Sequence, residues 1–208
     1  MIRSLVSFAL VTAASLSAQY KYEAAGAPPS ELPPAIAAQM QDKGHRVLSA
    51  DGKVWCELWF VKSVPKAAPT READATWKTM PPLSLVGAIR WPAQGLDRRG
   101  QQIKPGVYTL RYALHPVNGD HLGVAPQRDF LVMSPLDLDQ KAEPVAKFED
   151  LMAMSKKVSA ASHPAVLSMW AVDSNFEPGL SQAGEHDWAL QVAVGDAKIS
   201  VILVGKAE

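Results

Sequence analysis

Residues 115–130, HPVNGDHLGVAPQRDF, gather two of the chain's five histidines and two aspartates around glycine-broken turns. His115 and His121 stand six positions apart, a spacing a loop can close around a divalent ion, with Asp120 as a third donor and Asp129, His163 or His186 as more distant ones. The compact metal patterns are missing: there is no His-x-His, no His-Glu-x-x-His and no methionine-rich copper tract. Calcium would ask for more carboxylates than this stretch supplies. Asn118-Gly119-Asp120 is also ordinary turn chemistry, because asparagine and glycine tolerate left-handed backbone and an aspartate caps amides. Two readings stand side by side: a metal site on His115, Asp120 and His121, or a hydrogen-bonded loop that rims a ligand site. The residues favour the loop.

Trp55, Glu57 and Trp59 alternate along one strand, so regular pleating places them on one face. Two exposed indoles beside a carboxylate can stack on sugar rings. Indoles are usually largely buried, and the same face could instead lie under a helix or the N-terminal arm. Other polar clusters carry less. Gly179-Leu-Ser-Gln-Ala-Gly184 has one residue too many for a nucleophile elbow and lacks the apolar strand before it. Glu185-His186-Asp187 precedes a strand and reads as polar loop, and Arg98-Arg99 reads as a solvated one. Cys56 alternates with Val54 and Leu58 on an apolar face, which predicts a buried, inert thiol. No phosphate-binding glycine loop or dinucleotide fingerprint occurs, so the one cofactor left open is a divalent metal.

These side chains need a scaffold, and its outline is legible. The chain has 208 residues and balanced charge, 21 basic against 21 acidic, with no basic run of the kind that nucleic acid or an anionic membrane requires. Its single cysteine forbids an intrachain disulfide. Arg3, the apolar Leu5–Leu16 stretch and the small residues after it form a signal-peptide pattern over residues 1–18, with cleavage expected after Ala18, or else after Ala14. No later apolar run reaches the roughly 18 residues of a membrane span. Export to the periplasm or beyond the cell is the expectation. Residues 19–44 then form a proline-rich arm or tether with a short helix near Ala35–Asp42.

From residue 45 to 208 the pattern is of strands. Asp51-Gly52 is a two-residue turn signal, and counting outward opposes Val47 to Cys56 and Arg46 to Glu57. Residues 83–91 are a near-continuous apolar run, read as a central strand. Residues 104–116 alternate, Tyr108, Leu110, Tyr112 and Leu114 on one face, Thr109 and Arg111 on the other. A strand over 128–133 follows the loop. Phe148, Leu151/Met152, Ser155 and Val158 recur at helical spacing, predicting a helix near 144–160, with Glu149 and Asp150 early and Lys156 and Lys157 late as the helix dipole prefers. Strands at 165–172, 187–194 and 197–206 close the chain; Gly195-Asp196 turns the last pair and opposes Val192 to Ile199, Leu190 to Val201 and Trp188 to Leu203. About eight strands with one substantial helix, and no strand–helix alternation, give an all-β, mostly antiparallel β-sandwich with one inserted α-helix.

IKPGVYTLRYALHP resembles the Pro-Gly-x-Tyr-x-Leu strand of transthyretin-like and carboxypeptidase-regulatory-type sandwiches, over about ten residues. The longer combination KPGVYTLRYALHPVNGDHLGVAPQRDFLV, SHPAVLSMW and VILVGKAE is similar to a group of uncharacterised exported bacterial β-sandwich proteins. That group has no assigned activity, so the resemblance implies export and fold and carries over no catalytic residue. The functional expectation is an exported non-catalytic protein with a binding or assembly role toward another exported protein or a carbohydrate. A metal- or small-ligand-binding module centred on residues 115–123 is the alternative, and a hydrolase of cell-wall or exported sugar or peptide the third.

Overall fold

The computed structural model describes residues 20–72, 74–118, 125, 127–170, 172 and 175–206. The segment 1–18, where a signal peptide is expected, and the loop residues Asp120 and His121 lie outside them. Among the described residues twelve strands and two helices follow one another as β1 (Lys21–Ala25), α1 (Pro34–Ala37), β2 (Gly44–Leu48), β3 (Val54–Phe60), β4 (Leu85–Trp91), β5 (Gly95–Leu96), β6 (Gln102–Ile103), β7 (Gly106–Leu114), β8 (Asp129–Pro135), α2 (Phe148–Ser155), β9 (Val166–Ser168), β10 (Gly179–Ala183), β11 (Asp187–Val194) and β12 (Ala197–Val204). β1-β2-β3-β4-β7-β8-β9 form an antiparallel seven-stranded sheet, β10-β11-β12 a three-stranded one, and β5-β6 a small hairpin. The protein is all-β with an inserted helix.

The two larger sheets close on each other because their inner faces are apolar. Cys56, Leu58, Ile89, Leu110 and Leu131 from the larger sheet and Leu190, Val192, Ile199 and Val201 from the smaller share one buried cluster. The sandwich is stitched along one side, where Met169 bridges Val201 and the Trp170 amide donates to the Ser200 carbonyl at 2.9 Å. α2 lies on the opposite face of β7 and β8, setting Leu151, Phe148 and Met152 against Ala113, Phe130 and Val132. Among the described residues no helix is long and apolar enough to cross a membrane.

Part of the proline-rich arm is a strand: Lys21–Ala25 pairs with Leu48–Gly44. The Tyr22 hydroxyl lies 2.9 Å from Nδ1 of His45, whose pKa burial pushes below the usual imidazole value. The helix is shorter than the expected 144–160. Its N-terminal end is lost because the Lys141 and Glu143 carbonyls accept from the Arg111 guanidinium and the Val145 amide donates to Leu83, which holds that segment out of the helix. At the other end Val158 and Ala160 turn away to hydrogen-bond with Lys104 and Gln102.

The first hairpin reaches the expected register by a different route. Ser49 pairs with Lys53, leaving a three-residue loop in which Gly52 takes φ +79°, a conformation glycine adopts without penalty. Leu48 then opposes Val54 while Val47 opposes Cys56, so Trp55 is an extra residue, a β-bulge. The longer loop and the bulge offset one another, and Arg46 still faces Glu57. In the last hairpin Val192–Ile199 and Leu190–Val201 pair as counted, but Ala189 opposes Ile202 and Trp188 opposes Val204 rather than Leu203. Leu203 is the second bulge. The Trp55 indole donates to the Leu203 carbonyl at 3.0 Å, so the two irregularities meet across the sandwich.

Cys56 is fully buried, and burial followed by the charge of Glu57 raises its thiol pKa well above the ordinary value. Labelling by a thiol reagent should be slow in native buffer and fast in denaturant. Cys56→Ser should cost about 1–3 kcal/mol, because the core offers the hydroxyl no new partner; rapid native labelling would contradict this placement.

Candidate functional site

The end of β7 delivers residues 114–118 to one rim of the sandwich. His115 stacks its ring on Phe130, centroids 4.0 Å apart and 18° from parallel. Its backbone is clamped from both sides: its amide donates to the Arg128 carbonyl at 2.9 Å and its carbonyl accepts from Arg128 Nε at 2.9 Å. The 115–128 loop is therefore closed at its base by Arg128. Among the described residues no group of three His, Cys, Asp or Glu side chains is placed to hold a metal ion; two of the three expected ligands, Asp120 and His121, lie outside the described residues. Asp129, a more distant candidate ligand, is fully buried and committed elsewhere.

Two concavities flank this loop. One is a narrow cleft where His115 meets Asp97, Arg98, Arg99 and Val166. The other is an open groove lined by Leu83, Ala113, Leu114, Pro116, Val117 and Phe148, with Glu72 and Arg128 at its polar end. Arg128 Nη1 donates to Glu72 at 2.8 Å, and the Glu72 side chain remains about half exposed. Val117 is 77% exposed, well above the other large apolar side chains that reach the surface. Leu83 takes φ +68°, a left-handed conformation that a leucine holds only when its surroundings impose it. Here they do: the Leu83 amide donates to Tyr112, and its carbonyl accepts from Arg111 and Val145.

The expected aromatic platform is taken apart by the bulge. Trp55 leaves the face of Glu57 and Trp59 and joins Tyr20 and Trp91, ring centroids 6.1 and 5.5 Å away. Trp59 is 2% exposed and lies over Gly44, donating to the Gly26 carbonyl at 2.9 Å. A Cβ on residue 44 would sit 2.4 Å from the indole nitrogen, so glycine is what lets the ring lie there. Glu57 is buried between Arg46, at 2.8 Å, and Arg90, at 3.4 Å. Arg90 lies over the Trp59 ring, 5.7 Å from its centroid, so a stacked sugar would have to displace it.

Four more buried carboxylates have defined partners. Asp139 receives Nε and Nη2 of the fully buried Arg111, both at 2.7 Å, and the Thr109 hydroxyl. Asp129 accepts the Tyr112 hydroxyl at 2.6 Å and the Thr76 and Trp77 amides. Asp97 accepts the Arg99 and Gln101 amides. Asp187 receives Arg98 at 3.0 Å, so the arginine of the supposed solvated loop is a clasp between β11 and the β5–β6 hairpin. The groove and the Arg111 cluster escaped sequence reasoning. The one available signal was Arg111 itself, a charge inside an alternating apolar strand whose both faces turn out to be covered.

The fold and its grooved end define an all-β sandwich with one inserted helix and an apolar concavity beside the β7–β8 loop. No family model matches the chain, and no curated protein or solved structure matches it either.

Proposed function

We propose that this chain is an exported, non-catalytic β-sandwich protein that acts in the periplasm or outside the cell by binding, with its ligand seated in the groove beside Val117. The observation that carries the reading is the groove itself: apolar side chains from β7 and α2, a strained Leu83, an exposed Val117, and one cation at the end. That chemistry suits a ligand with an apolar body and an acidic end, whose carboxylate would replace Glu72 at Arg128. The engagement of Glu57, Asp97, Asp129, Asp139 and Asp187 by internal donors supports binding over acid–base chemistry. Export rests on the signal pattern of residues 1–18; Tyr20, two positions beyond the expected cleavage point, keeps its contacts with Trp55 and Trp188 once that segment is gone.

Anilinonaphthalene sulfonate, an apolar anion, is a suitable probe. Its fluorescence should saturate at one site per chain, Val117→Asp should abolish the signal, and Arg128→Gln should weaken it. Saturation unchanged in both variants would overturn the assignment. The metal reading makes a different prediction: zinc at a hundredfold excess over Kd would stabilise the fold by about 2.7 kcal/mol, and His115→Ala with His121→Ala would remove that gain. The groove reading predicts no zinc response in either protein.

A further inference from the structure

Across the outer face of the large sheet runs one row of alternating charge. Glu23 on β1 stands opposite Arg46 on β2, Arg46 opposite Glu57 on β3, and Glu57 opposite Arg90 on β4. The contacts along it are 3.9, 2.8 and 3.4 Å, and Glu31 caps the far end at 3.3 Å from Arg90. At the sheet edge the row ends in an acid, with the Glu23 side chain 52% exposed. Lys21 through Ala24 are all exposed, and β1 is the terminal strand of the sheet order. An edge strand presents backbone donors and acceptors to a further strand, and charged side chains decide which one is admitted.

We propose that β1 is a self-recognition edge through which two copies of this chain pair antiparallel about a two-fold axis at Tyr22. In that register Lys21 of each copy stands opposite Glu23 of the other. The charge row then continues without a break: Arg90, Glu57, Arg46, Glu23, then Lys21 of the second copy. Neighbouring registers are rejected by the same residues, since a two-fold axis at Glu23 sets acid against acid and one at Lys21 sets amine against amine. Opposite charges facing each other across a strand pair stabilise it and like charges disfavour it. The contact is isologous, so it closes at two copies. Five residues make a short interface; the dimer is weak and salt-sensitive.

Sedimentation equilibrium of the purified chain over a wide concentration range tests this. The wild type should show a monomer–dimer equilibrium that added salt weakens. Lys21→Glu and Glu23→Lys should each be monomeric, and their equimolar mixture should recover the dimer, because every facing pair is then opposite in sign. A monomeric wild type at millimolar concentration, single variants that dimerise like the wild type, or a mixture that stays monomeric would each overturn the proposal. Should Glu23→Lys disturb its own row beside Arg46, seen as a changed circular dichroism spectrum, Lys21→Glu alone decides, since position 21 is exposed and outside the intrachain row.

Discussion

Arg111→Ala is expected to lower the unfolding free energy by about 3–5 kcal/mol, the range for removing one partner of a buried ion pair, and the melting temperature by roughly 10 °C. Arg111 and Asp139 have side chains 1% and 3% exposed. All five guanidinium protons have acceptors: two on Asp139, and the carbonyls of Leu83, Lys141 and Glu143. Truncation leaves a buried carboxylate whose remaining donor is the Thr109 hydroxyl, and it frees the segment that holds α2 over the sheet. Arg111→Lys should recover only part of the loss, because an ammonium cannot reproduce the planar fork. Arg111→Met with Asp139→Leu should be less destabilised than Arg111→Ala alone, since the uncompensated charge is gone. Chemical denaturation of the four proteins reads all of this, and a loss under about 1 kcal/mol for Arg111→Ala would show that the Arg111–Asp139 pair does not hold the fold together.

Asp129→Ala should cost about 3 kcal/mol, as it strands the buried Tyr112 hydroxyl and removes the acceptor of two backbone amides. Burial first, then the hydrogen bond to Asp129, raises the Tyr112 phenol pKa far above its ordinary value, so it stays a donor. Asp129 ties the long 62–84 connection to the sheet through Thr76 and Trp77. Hydrogen exchange should therefore accelerate at those two amides before the rest of the fold is affected. Tyr112→Phe should cost less, about 1–2 kcal/mol, and leave the two amides protected. Equal acceleration throughout the chain in Asp129→Ala would show that the carboxylate supports global stability rather than this connection.

The strands were legible where side chains alternate and turns carry glycine. β7 and the β11–β12 hairpin follow from period and turn chemistry alone. What escaped the sequence was irregularity of one residue. Trp55 and Leu203 are bulges, and nothing in local alternation marks which residue of a strand will be extra. Because a single shift flips a side chain to the other face, the Trp55–Glu57–Trp59 alignment failed although the register at Cys56 held. Arg111 was seen on its face, but that this face is covered depends on Asp139, twenty-eight residues away, and on a segment held out of α2. The groove is built from residues of the 62–84 connection, β7, its following loop and α2, so no short motif could announce it.

The central claim is that the groove beside the end of β7 is the binding surface. Amide-resolved nuclear magnetic resonance of the chain titrated with anilinonaphthalene sulfonate locates the probe directly. The account predicts shifts concentrated at Leu83, Leu114, Val117, Arg128 and Phe148, with β1 and the Glu57 row unmoved. Shifts centred instead on the Trp55 and Trp59 strand, or on the His163 surface, would contradict it.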